Sequence, residues 1–465
     1  MIEPATTLTG RLYRSLSQLF SVERGEAYVL LTSFVMFLSL LCGYYILRPV
    51  RDEMGVALGK DGLERLFLAV FIAMLIAVPV FGMIVRTFRR RSIVPLVYGF
   101  FIANLVLFWM ALESSEQAYV SPALRQLLDA SGLNELASVN ASYQRIIDFD
   151  PPLAAVFFVW ASVFNLFAIS LFWSLMSEVY SSDQAKRLYG IIAAGGTAGA
   201  ILGPSVTSLF AARIGPNALL LVSAAFLGVA LVSSLVLRRQ LFGHELPSDA
   251  GRTPATGSIF DGAVRVFTSP YLFGIALYIL LANIIGTYFY LEQSRIVGDT
   301  FADRAARVGF FATRDLAVSL ITLFLQLFVT GRVLQRFGLG PALAVLPVTA
   351  GVGLLALTVS PGLTVVAAVM AFERAIAFSL SNPAVKVLWT AVSDSDKYRA
   401  QNFVDTVVYR GGDAASGWVF TGLAKVTGGA GAMTALAALP LVALWAYAGH
   451  NLARHHKDAV QKLYQ

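Results

Sequence analysis

Charged side chains stand inside or at the edges of long apolar stretches of this sequence. An ionisable residue at membrane depth costs at least about 2.5 kcal/mol on insertion scales, and such residues usually pair with one another or line a polar pathway. Arginine is of most interest, because its planar fork of N–H donors matches the oxygens of carboxylates and phosphates. The charged residues in these positions are Arg48, Arg51, Asp52, Glu53, Glu178, Glu292, Arg295, Arg314, Asp315, Glu373, Arg374, Arg410 and Asp413.

Arg51 and Arg295 occupy matched positions, each just after an apolar stretch that ends in aromatic residues. Two arginines facing one cavity would attract an anion, so we predict that both contact anionic groups of a substrate. The alternative is that they anchor to lipid headgroups, or close an exterior gate by pairing with Asp52 or Glu292. The other predicted substrate-binding residues, which would add to the same positive field, are Arg314, Arg374 and Arg410.

Two further pairs of charges suit a polar cavity wall. Arg410 and Asp413 are three residues apart and share one face of a helix, so they form either a self-contained ion pair or part of a cavity wall. Glu373 and Arg374 are adjacent and point about 100° apart on a helix. One of them is therefore expected to face the cavity and the other a neighbouring helix.

Glu178 lies at the inner end of an apolar stretch, close in sequence to Lys186 and Arg187. It is predicted either to form a gate salt bridge with one of these cations or to contact a proton or the substrate. The full set of predicted gating or coupling residues is Arg48, Asp52, Glu178, Lys186, Glu292, Glu373 and Asp413.

The elements that must position these residues are membrane-spanning helices. Of the 465 residues, 57% are hydrophobic and only 14% are charged, whereas soluble domains carry roughly 25% charged residues. Lipid supplies no hydrogen-bond partners, so each span must satisfy its own backbone as a helix of about 20 mostly apolar residues. Twelve spans are predicted, with ten or eleven as alternatives because four candidates carry glycines or charges: residues 27–47, 66–86, 92–112, 152–178, 188–212, 217–237, 270–291, 309–331, 341–359, 363–388, 403–424 and 430–450.

Composition and motifs also exclude several classes of protein. The net charge of +7 suits cationic loops beside anionic lipid, and the basic residues are spread among apolar blocks, which argues against nucleic-acid binding. The single cysteine, Cys42, lies within the first span, so no disulfide framework exists. The sequence contains no phosphate-binding loop, metal-ligand cluster or nucleophile elbow. We therefore predict no enzymatic activity, no cofactor and no metal, and expect a monomer in contact with membrane lipids.

Loop composition predicts the topology. The predicted arrangement places more Lys and Arg on the side of the two chain ends, so both termini are expected to be cytoplasmic in a multi-pass protein of the bacterial inner membrane. Residues 239–268 are polar and rich in turn formers, and we predict a cytoplasmic linker there. This divides the chain into an N-terminal half, 1–238, and a C-terminal half, 269–465. Residues 113–150 are predicted to contain a short interfacial helix on the exterior side.

Three sequence echoes relate the two halves. Residues 44–51 and 288–295 both place aromatics, a leucine and then an arginine at the end of a span. The other two echoes are a basic segment after the second and eighth spans, and a Ser-Asp pair that leads into two glycines in each half. Three echoes in the same order indicate duplication of a six-span unit. The expected fold is an all-α membrane protein of the major facilitator type, with two six-helix halves around a central cavity that alternate access by rocking.

Two segments resemble the ATP/ADP translocases of plastids and intracellular bacteria. The first is Tyr45-Ile-Leu-Arg48-Pro-Val-Arg51-Asp52, and the second is Phe172-Trp173 followed by Asp183-Gln-Ala-Lys186-Arg187-Leu-Tyr189. Shorter similarities lie at residues 382–383 and 404–405. The resemblance implies a nucleotide or other phosphate-bearing substrate.

The sequence departs from that family's pattern at three positions. Arg51 stands where the family has a lysine and keeps the positive charge. A family glutamate early in the fourth span aligns near Ala161, and a family lysine aligns roughly with Gln401. These changes leave open a cargo other than ATP and ADP.

Together, these features predict a secondary active transporter that moves an organic anion, in particular a nucleotide or other phosphorylated metabolite, by alternating access. One alternative is a proton-coupled drug or metabolite exporter, with acidification-dependent transport and little need for Arg51. The other is a non-transporting membrane sensor or assembly factor, which would give no substrate flux in liposomes.

Overall fold

Long helices form the N-terminal part of the protein. The computed structural model describes residues 23, 26–87, 90–119, 151–241, 259–393, 400–401, 403–427 and 431–463. Eleven helical segments among these residues are long and apolar enough to cross a membrane. The first six helices are α1 (Glu26–Ala57), α2 (Gly59–Thr87), α3 (Arg90–Tyr119), α4 (Pro151–Val179), α5 (Ser182–Ile214) and α6 (Ala218–Leu241).

The C-terminal part is more segmented. Three short π-helical turns, Gln326–Thr330, Ala377–Ser381 and Val404–Val408, interrupt or precede its helices, and a 3₁₀ turn covers Trp389–Ala391. Such turns are rare and are often found at functional sites. The helices are α7 (Ile259–Thr268), α8 (Pro270–Thr300), α9 (Arg304–Leu325), α10 (Gly331–Arg336), α11 (Leu339–Val359), α12 (Leu363–Ile376), α13 (Asn382–Leu388), α14 (Tyr409–Val426), α15 (Gly431–Ala437) and α16 (Leu439–Leu463).

The bundle has an apolar exterior as well as an apolar interior. Large side chains such as Ile76, Leu209 and Val352 are each about 60% exposed on its surface, as expected of helices that face lipid. Inside, two large hydrophobic clusters form, one mainly from α1, α3, α4, α5 and α6 and the other mainly from α8 onward. This arrangement agrees with two packed groups of helices, and the residue at which one half ends and the other begins stays a prediction.

Helices α1 and α8 run well past the ends predicted for the first and seventh spans. The prediction stopped at residues 47 and 291, where the first charged or polar side chains begin. The structure continues α1 to Ala57 and α8 to Thr300, since the charges of these last turns are buried against other helices or paired along the helix itself.

The predicted eleventh span is helical but more polar than the rest. The π turn Val404–Val408 continues directly into α14, and α14 packs against α2 and α8. It is not among the eleven apolar spans of the described residues, and eleven is one of the counts left open beside the predicted twelve. The middle of the predicted linker, 242–258, and residues 120–150, which hold most of the predicted interfacial segment, lie outside the described residues.

Glycines allow α1 and α5 to approach closely. A methyl group on Gly199 would meet the Leu38 carbonyl oxygen and would lie 2.9 Å from the backbone nitrogen of Cys42. A methyl group on Gly203 would lie 2.7 Å from the carbonyl oxygen of Cys42. Small residues at such contacts let helix backbones meet in membranes. Since α1 carries Arg48 and Arg51, this contact also fixes the position of those arginines.

We expect Gly199→Ala to destabilise the protein, because the added methyl group meets backbone atoms that cannot move aside as a side chain could. Overpacking of this kind typically costs about 1–3 kcal/mol. Gly190→Ala is the matched control, since Gly190 lies in the same helix with no neighbouring atom within 4 Å of the added group. Thermal unfolding in detergent should show a clear loss for Gly199→Ala alone, and equal melting of the two variants would contradict the expectation.

Candidate functional site

A cavity of about 640 Å³ lies between the two groups of helices. Its volume falls within the roughly 300–1,000 Å³ typical of small-molecule sites. Residues from α1, α2 and α4 form one side, and residues from α8, α12 and α14 form much of the other. The cavity is therefore built by both halves of the chain, as the sequence echoes predicted.

The charge of the lining favours an anion. Among the described residues of the lining, five basic side chains face three acidic ones: Arg48, Arg51, Arg374, Lys386 and Arg410 against Glu373, Asp405 and Asp413. Eight aromatic side chains also line the space and offer apolar and stacking surfaces: Tyr44, Tyr45, Phe67, Phe158, Tyr278, Tyr290, Phe378 and Tyr409. This combination suits a ligand that joins an anionic group to a planar or apolar one.

A buried ionic network closes one end of the cavity, and Asp52 is its centre. The Asp52 carboxylate accepts hydrogen bonds from Arg51 at 2.7 Å, from Arg314 at 2.8 Å and from the hydroxyl of Tyr290 at 3.1 Å. Asp52 is fully buried and Arg314 is 3% exposed. A buried charge is stable only with such partners, since its desolvation cost must be offset.

Further bonds extend this network. Arg314 also binds Asp315 at 2.7 Å and donates to the side-chain oxygen of Gln293 at 2.6 Å. Arg48 lies 3.5 Å from Asp315. The contacts of Asp52 with Arg314 and Tyr290, and of Arg48 with Asp315, join α1 of the first half to α8 and α9 of the second.

A second group of charges lies beyond the first, toward the end of α1. Arg304 and Arg307, both near the start of α9, lie 3.4 Å and 3.5 Å from the buried carboxylate of Glu53. Arg307 also donates to the backbone oxygen of Phe301, just after α8 ends. Glu53 and Arg307 are both nearly inaccessible to solvent. The two groups together seal this end of the cavity between the halves.

The opposite end of the cavity reaches solvent-exposed charges. Lys386 and Asp405 line it, and their side chains are 63% and 52% exposed. Their charged atoms are 4.0 Å apart, at the limit of an ion pair. The structure therefore has one sealed end, at Asp52 and Glu53, and one end that reaches exposed side chains.

Arg374 differs from the other arginines of the lining. Its Nε is buried without a hydrogen-bond partner, and among the described residues no carboxylate lies within 4.0 Å of its guanidinium group. The positive charges of Arg48 and Arg314 act on it unfavourably, whereas the negative charges of Glu373 and Asp315 act on it favourably from a greater distance than an ion pair. A guanidinium group beside other arginines, with its Nε buried and unpartnered, attracts an anion.

The structure brings eight of the predicted site residues to the cavity or to the sealed end. Arg410 and Asp413 form the predicted ion pair at 3.5 Å, and they also line the cavity. Both open alternatives for that pair are therefore compatible with its geometry. The other six are Arg48, Arg51, Asp52, Arg314, Glu373 and Arg374.

The remaining predicted residues lie elsewhere in this conformation. Arg295 is half exposed, pairs with Glu292 and Asp299 along α8, and is not part of the cavity lining. Glu178 lies near the end of α4 and has interactions of its own. The side chain of Lys186 is outside the described part of the structure, so its pairing with Glu178 stays a prediction.

Several site residues were not found from the sequence. Asp315, an acidic residue of the buried ionic network, was noted only as a charge in an apolar stretch. Its ion pair with Arg48 joins α1 and α9, which are far apart in the sequence. The other missed residues carry single polar groups on spans or span ends, where no spacing signal connects them: Tyr290, Gln293, Arg304, Arg307, Lys386 and Asp405.

The sequence-based role of Arg295 can be tested beside that of Arg51. We expect Arg51→Ala to reduce uptake of a phosphorylated substrate, because Arg51 lines the cavity. Arg295→Ala should reduce uptake to a similar extent only if Arg295 enters the cavity in another conformation. Loss of uptake in the Arg51 variant with normal uptake in the Arg295 variant would reject the predicted role of Arg295.

No resident metal centre stands out. Among the residues described, no group of three or more His, Cys, Asp and Glu side chains is arranged to hold a metal ion.

The fold is of the major facilitator type. The structure resembles a mutant form of the nucleoside transporter NupG, with a TM-score of 0.57, 13% identity and 93% of this chain and 99% of that chain covered. It also resembles a bacterial homologue of the iron transporter ferroportin in its inward-facing state, with a TM-score of 0.58, 12% identity and coverage of 93% and 98%.

The sequence comparison identifies the family. The family described as TLC ATP/ADP transporter matches residues 10–357, and the chain belongs to this family of transporters. ADP,ATP carrier protein 1 of Chlamydia trachomatis is 21% identical, with 92% of this chain and 88% of that protein covered. The carrier of the same name from Chlamydia muridarum is 20% identical over the same shares. The predicted resemblance to ATP/ADP translocases is thereby confirmed.

Proposed function

We propose that this protein is a secondary active transporter that moves a nucleotide or another phosphorylated metabolite by alternating access. The observation that carries the proposal is Arg374, whose buried Nε has no hydrogen-bond partner and whose guanidinium group has no carboxylate partner among the described residues, in a cavity with an excess of basic side chains. Family membership and the likeness to carriers named for ADP and ATP support a phosphorylated cargo.

The arginines and aromatic rings of the cavity suggest how such a cargo is held. We place the phosphate groups against Arg374, with Arg51 and Arg48 close to the sealed end of the same cavity. Phosphate oxygens suit the bidentate fork of arginine, and charge-assisted hydrogen bonds of this kind are about twice as strong as neutral ones. The aromatic lining offers stacking partners for a base, a contact worth about 1–3 kcal/mol for each base.

Arg51 links this site to the sealed end. It lines the cavity and also donates two hydrogen bonds to Asp52, which in turn holds Arg314 of the second half. A phosphate that attracts Arg51 competes with Asp52 for its donors. Binding would therefore weaken the contact between the halves at that end, which is the coupling that alternating access requires.

The orientation is part of the proposal. With both termini in the cytoplasm of a bacterial inner membrane, the sealed end at Asp52 and Glu53 is exterior. The cavity then reaches the cytoplasm near Lys386 and Asp405. A cysteine in place of His455, an exposed residue of α16, should react from the cytoplasmic side of spheroplasts, and reaction from the periplasmic side alone would reverse this orientation.

Exchange in proteoliposomes tests the function. Vesicles loaded with unlabelled ADP, ATP, other nucleotides or sugar phosphates are supplied with labelled ADP outside, and protein-free vesicles serve as the control. We expect uptake that depends on an internal phosphorylated metabolite or on an imposed gradient. Absence of flux with every phosphorylated substrate would reject the proposal and would favour the non-transporting class of function.

A further inference from the structure

Of the three carboxylates that line the cavity among the described residues, Asp405 is half exposed and the other two are largely inaccessible to solvent. Glu373 on α12 and Asp413 on α14 both line the cavity; Glu373 is buried, and the side chain of Asp413 is 18% exposed. An ionised carboxylate there repels the phosphate groups that the arginines attract. The presence of two such groups therefore calls for a role that an anion-binding site alone does not explain.

Glu373 is the less compensated of the two. It is 7% exposed, and among the described residues no basic atom lies within 4.0 Å of its carboxylate. One of its oxygens lies 3.8 Å from the position that a side chain on Gly286 of α8 would occupy. The glycine thus leaves this carboxyl group next to the α8 backbone, where a buried charge without a partner is unfavourable.

Asp413 faces the next residue along α8. Its Oδ1 accepts a hydrogen bond from Thr287 at 3.3 Å, and its Oδ2 lies 3.5 Å from the guanidinium group of Arg410. Glu373 and Asp413 therefore meet neighbouring residues of one helix, although they belong to two different helices. Both carboxyl groups line the same cavity, and ionising a carboxyl group in such a poorly solvated place carries a cost that binding a proton removes.

Among the described residues, the main charged and titratable groups that act on these two carboxyl groups lie on α12 and α14. Arg374 of α12 acts on both carboxyl groups, while Tyr409 and Arg410 of α14 face Asp413. From α8, the facing residues are Gly286 and Thr287, which do not titrate. The arginines are the same groups that the proposed function assigns to the phosphate. When an anion occupies them, they compensate the carboxylates less.

We propose that Glu373 and Asp413 form a proton-binding pair that couples uptake of protons to binding of the phosphorylated substrate. This inference rests on the proposed function for its substrate, and it names the ion that accompanies that substrate. With both carboxyl groups protonated, the lining holds five basic side chains against the single carboxylate of Asp405. Protons and anion then favour one another, and the coupling is reciprocal by linkage. For each proton coupled, affinity changes by up to about tenfold per pH unit.

Infrared difference spectra of the ligand-free protein test the proton-binding pair directly. A protonated carboxyl group has its own carbonyl stretch, which disappears when the proton leaves. We expect such a band to titrate in the wild-type protein and to be lost in the E373Q/D413N variant. Asp299→Asn is the control, because Asp299 is 59% exposed and paired with Arg295 outside the cavity. A band that is absent from the wild-type protein, or that persists in the double variant, would overturn the inference.

Calorimetry with ADP tests the coupling. Titrations in buffers of different ionisation enthalpy measure how many protons enter the protein when ADP binds. We expect about one proton or more per ADP in the wild-type protein and a clear loss of this uptake in E373Q/D413N. Binding of ADP without proton uptake would overturn the coupling and leave the proposed function intact. Absence of ADP binding would count against ADP as cargo, whereas the infrared titration decides on the proton pair by itself.

Discussion

Arg374→Ala should lower the affinity for ADP or another phosphorylated substrate by about a hundredfold or more. A hydrogen bond to a charged group contributes about 1.5–3 kcal/mol, and two such bonds to phosphate exceed the roughly 2.8 kcal/mol that corresponds to a hundredfold change in affinity. Arg374 has no carboxylate partner of its own among the described residues, so an ion pair does not already occupy its donors. Binding to purified protein and uptake in proteoliposomes would measure the loss.

Two further variants separate charge from geometry in this result. Arg374→Lys keeps the charge but lacks the planar fork, and it should retain only part of the affinity. Arg213→Ala removes an exposed arginine near the end of α5, away from the cavity, and should bind as the wild-type protein does. If Arg374→Ala bound the substrate with unchanged affinity, the phosphate groups would have to be held elsewhere.

Asp52→Asn should open the sealed end of the cavity and lower the stability of the protein in detergent. Asp52 holds Arg51, Arg314 and Tyr290 together from a fully buried position. Removing one partner of a buried ionic network typically costs about 3–5 kcal/mol, because the remaining charges stay buried without compensation. The cost applies to the conformation in which the halves meet at this end, so the balance should shift toward the conformation in which they separate.

Thiol accessibility can measure that shift. A cysteine placed at Thr287, in the cavity lining, is introduced into a Cys42→Ala background and treated with a membrane-impermeant reagent from each side of the vesicle. In the Asp52→Asn variant, labelling from the Asp52 end should rise several-fold. Asp299→Asn is the matched control, since it breaks an exposed pair worth at most about 1 kcal/mol. Equal labelling of the two variants would show that the network does not hold this end closed.

The first prediction concerns Arg374, and the second concerns Arg314 through its partner Asp52. The sequence analysis had placed both arginines among the substrate-binding residues. Arg314 and Arg374 were predicted to bind substrate together, and neither prediction is tested by the structure alone. Their surroundings differ nevertheless. Arg314 already has two carboxylates and an amide oxygen as partners, whereas the Nε of Arg374 has no partner among the described residues. The geometry therefore favours a structural role for Arg314, which holds the two halves together. It favours a ligand-binding role for Arg374.

The apolar blocks of the sequence were sufficient to predict the helices. In lipid, a backbone without internal hydrogen bonds is too costly, so a long apolar block has little choice of conformation. Helix ends were predicted less well, as α1 and α8 show, because the sequence does not reveal when a charged turn is buried against another helix. The echoes around residues 44–51 and 288–295 indicated the two related halves.

The same echo did not predict the different surroundings of its two arginines. Arg295 has Glu292 and Asp299 three and four residues away on its own helix, so it pairs along the surface of α8. Arg51 has Asp52 next to it, and Asp52 is drawn inward by Arg314 and Tyr290. Arg51 and Arg295 hold matched positions in the two halves, yet their different charged neighbours place one in the cavity wall and the other on the surface of α8.

By itself, the sequence determined that the chain is a bundle of membrane-spanning helices, that it has two related halves, and that charged residues lie where they must be paired or functional. These properties follow from composition and local spacing, since the lipid acts on each segment separately. Only the tertiary structure decided which charges meet. Asp52 and Arg314 are 262 residues apart, and a contact between distant helices depends on how the whole bundle packs. The same packing leaves Arg374 facing the cavity without a carboxylate, because none of the described helices brings one within reach.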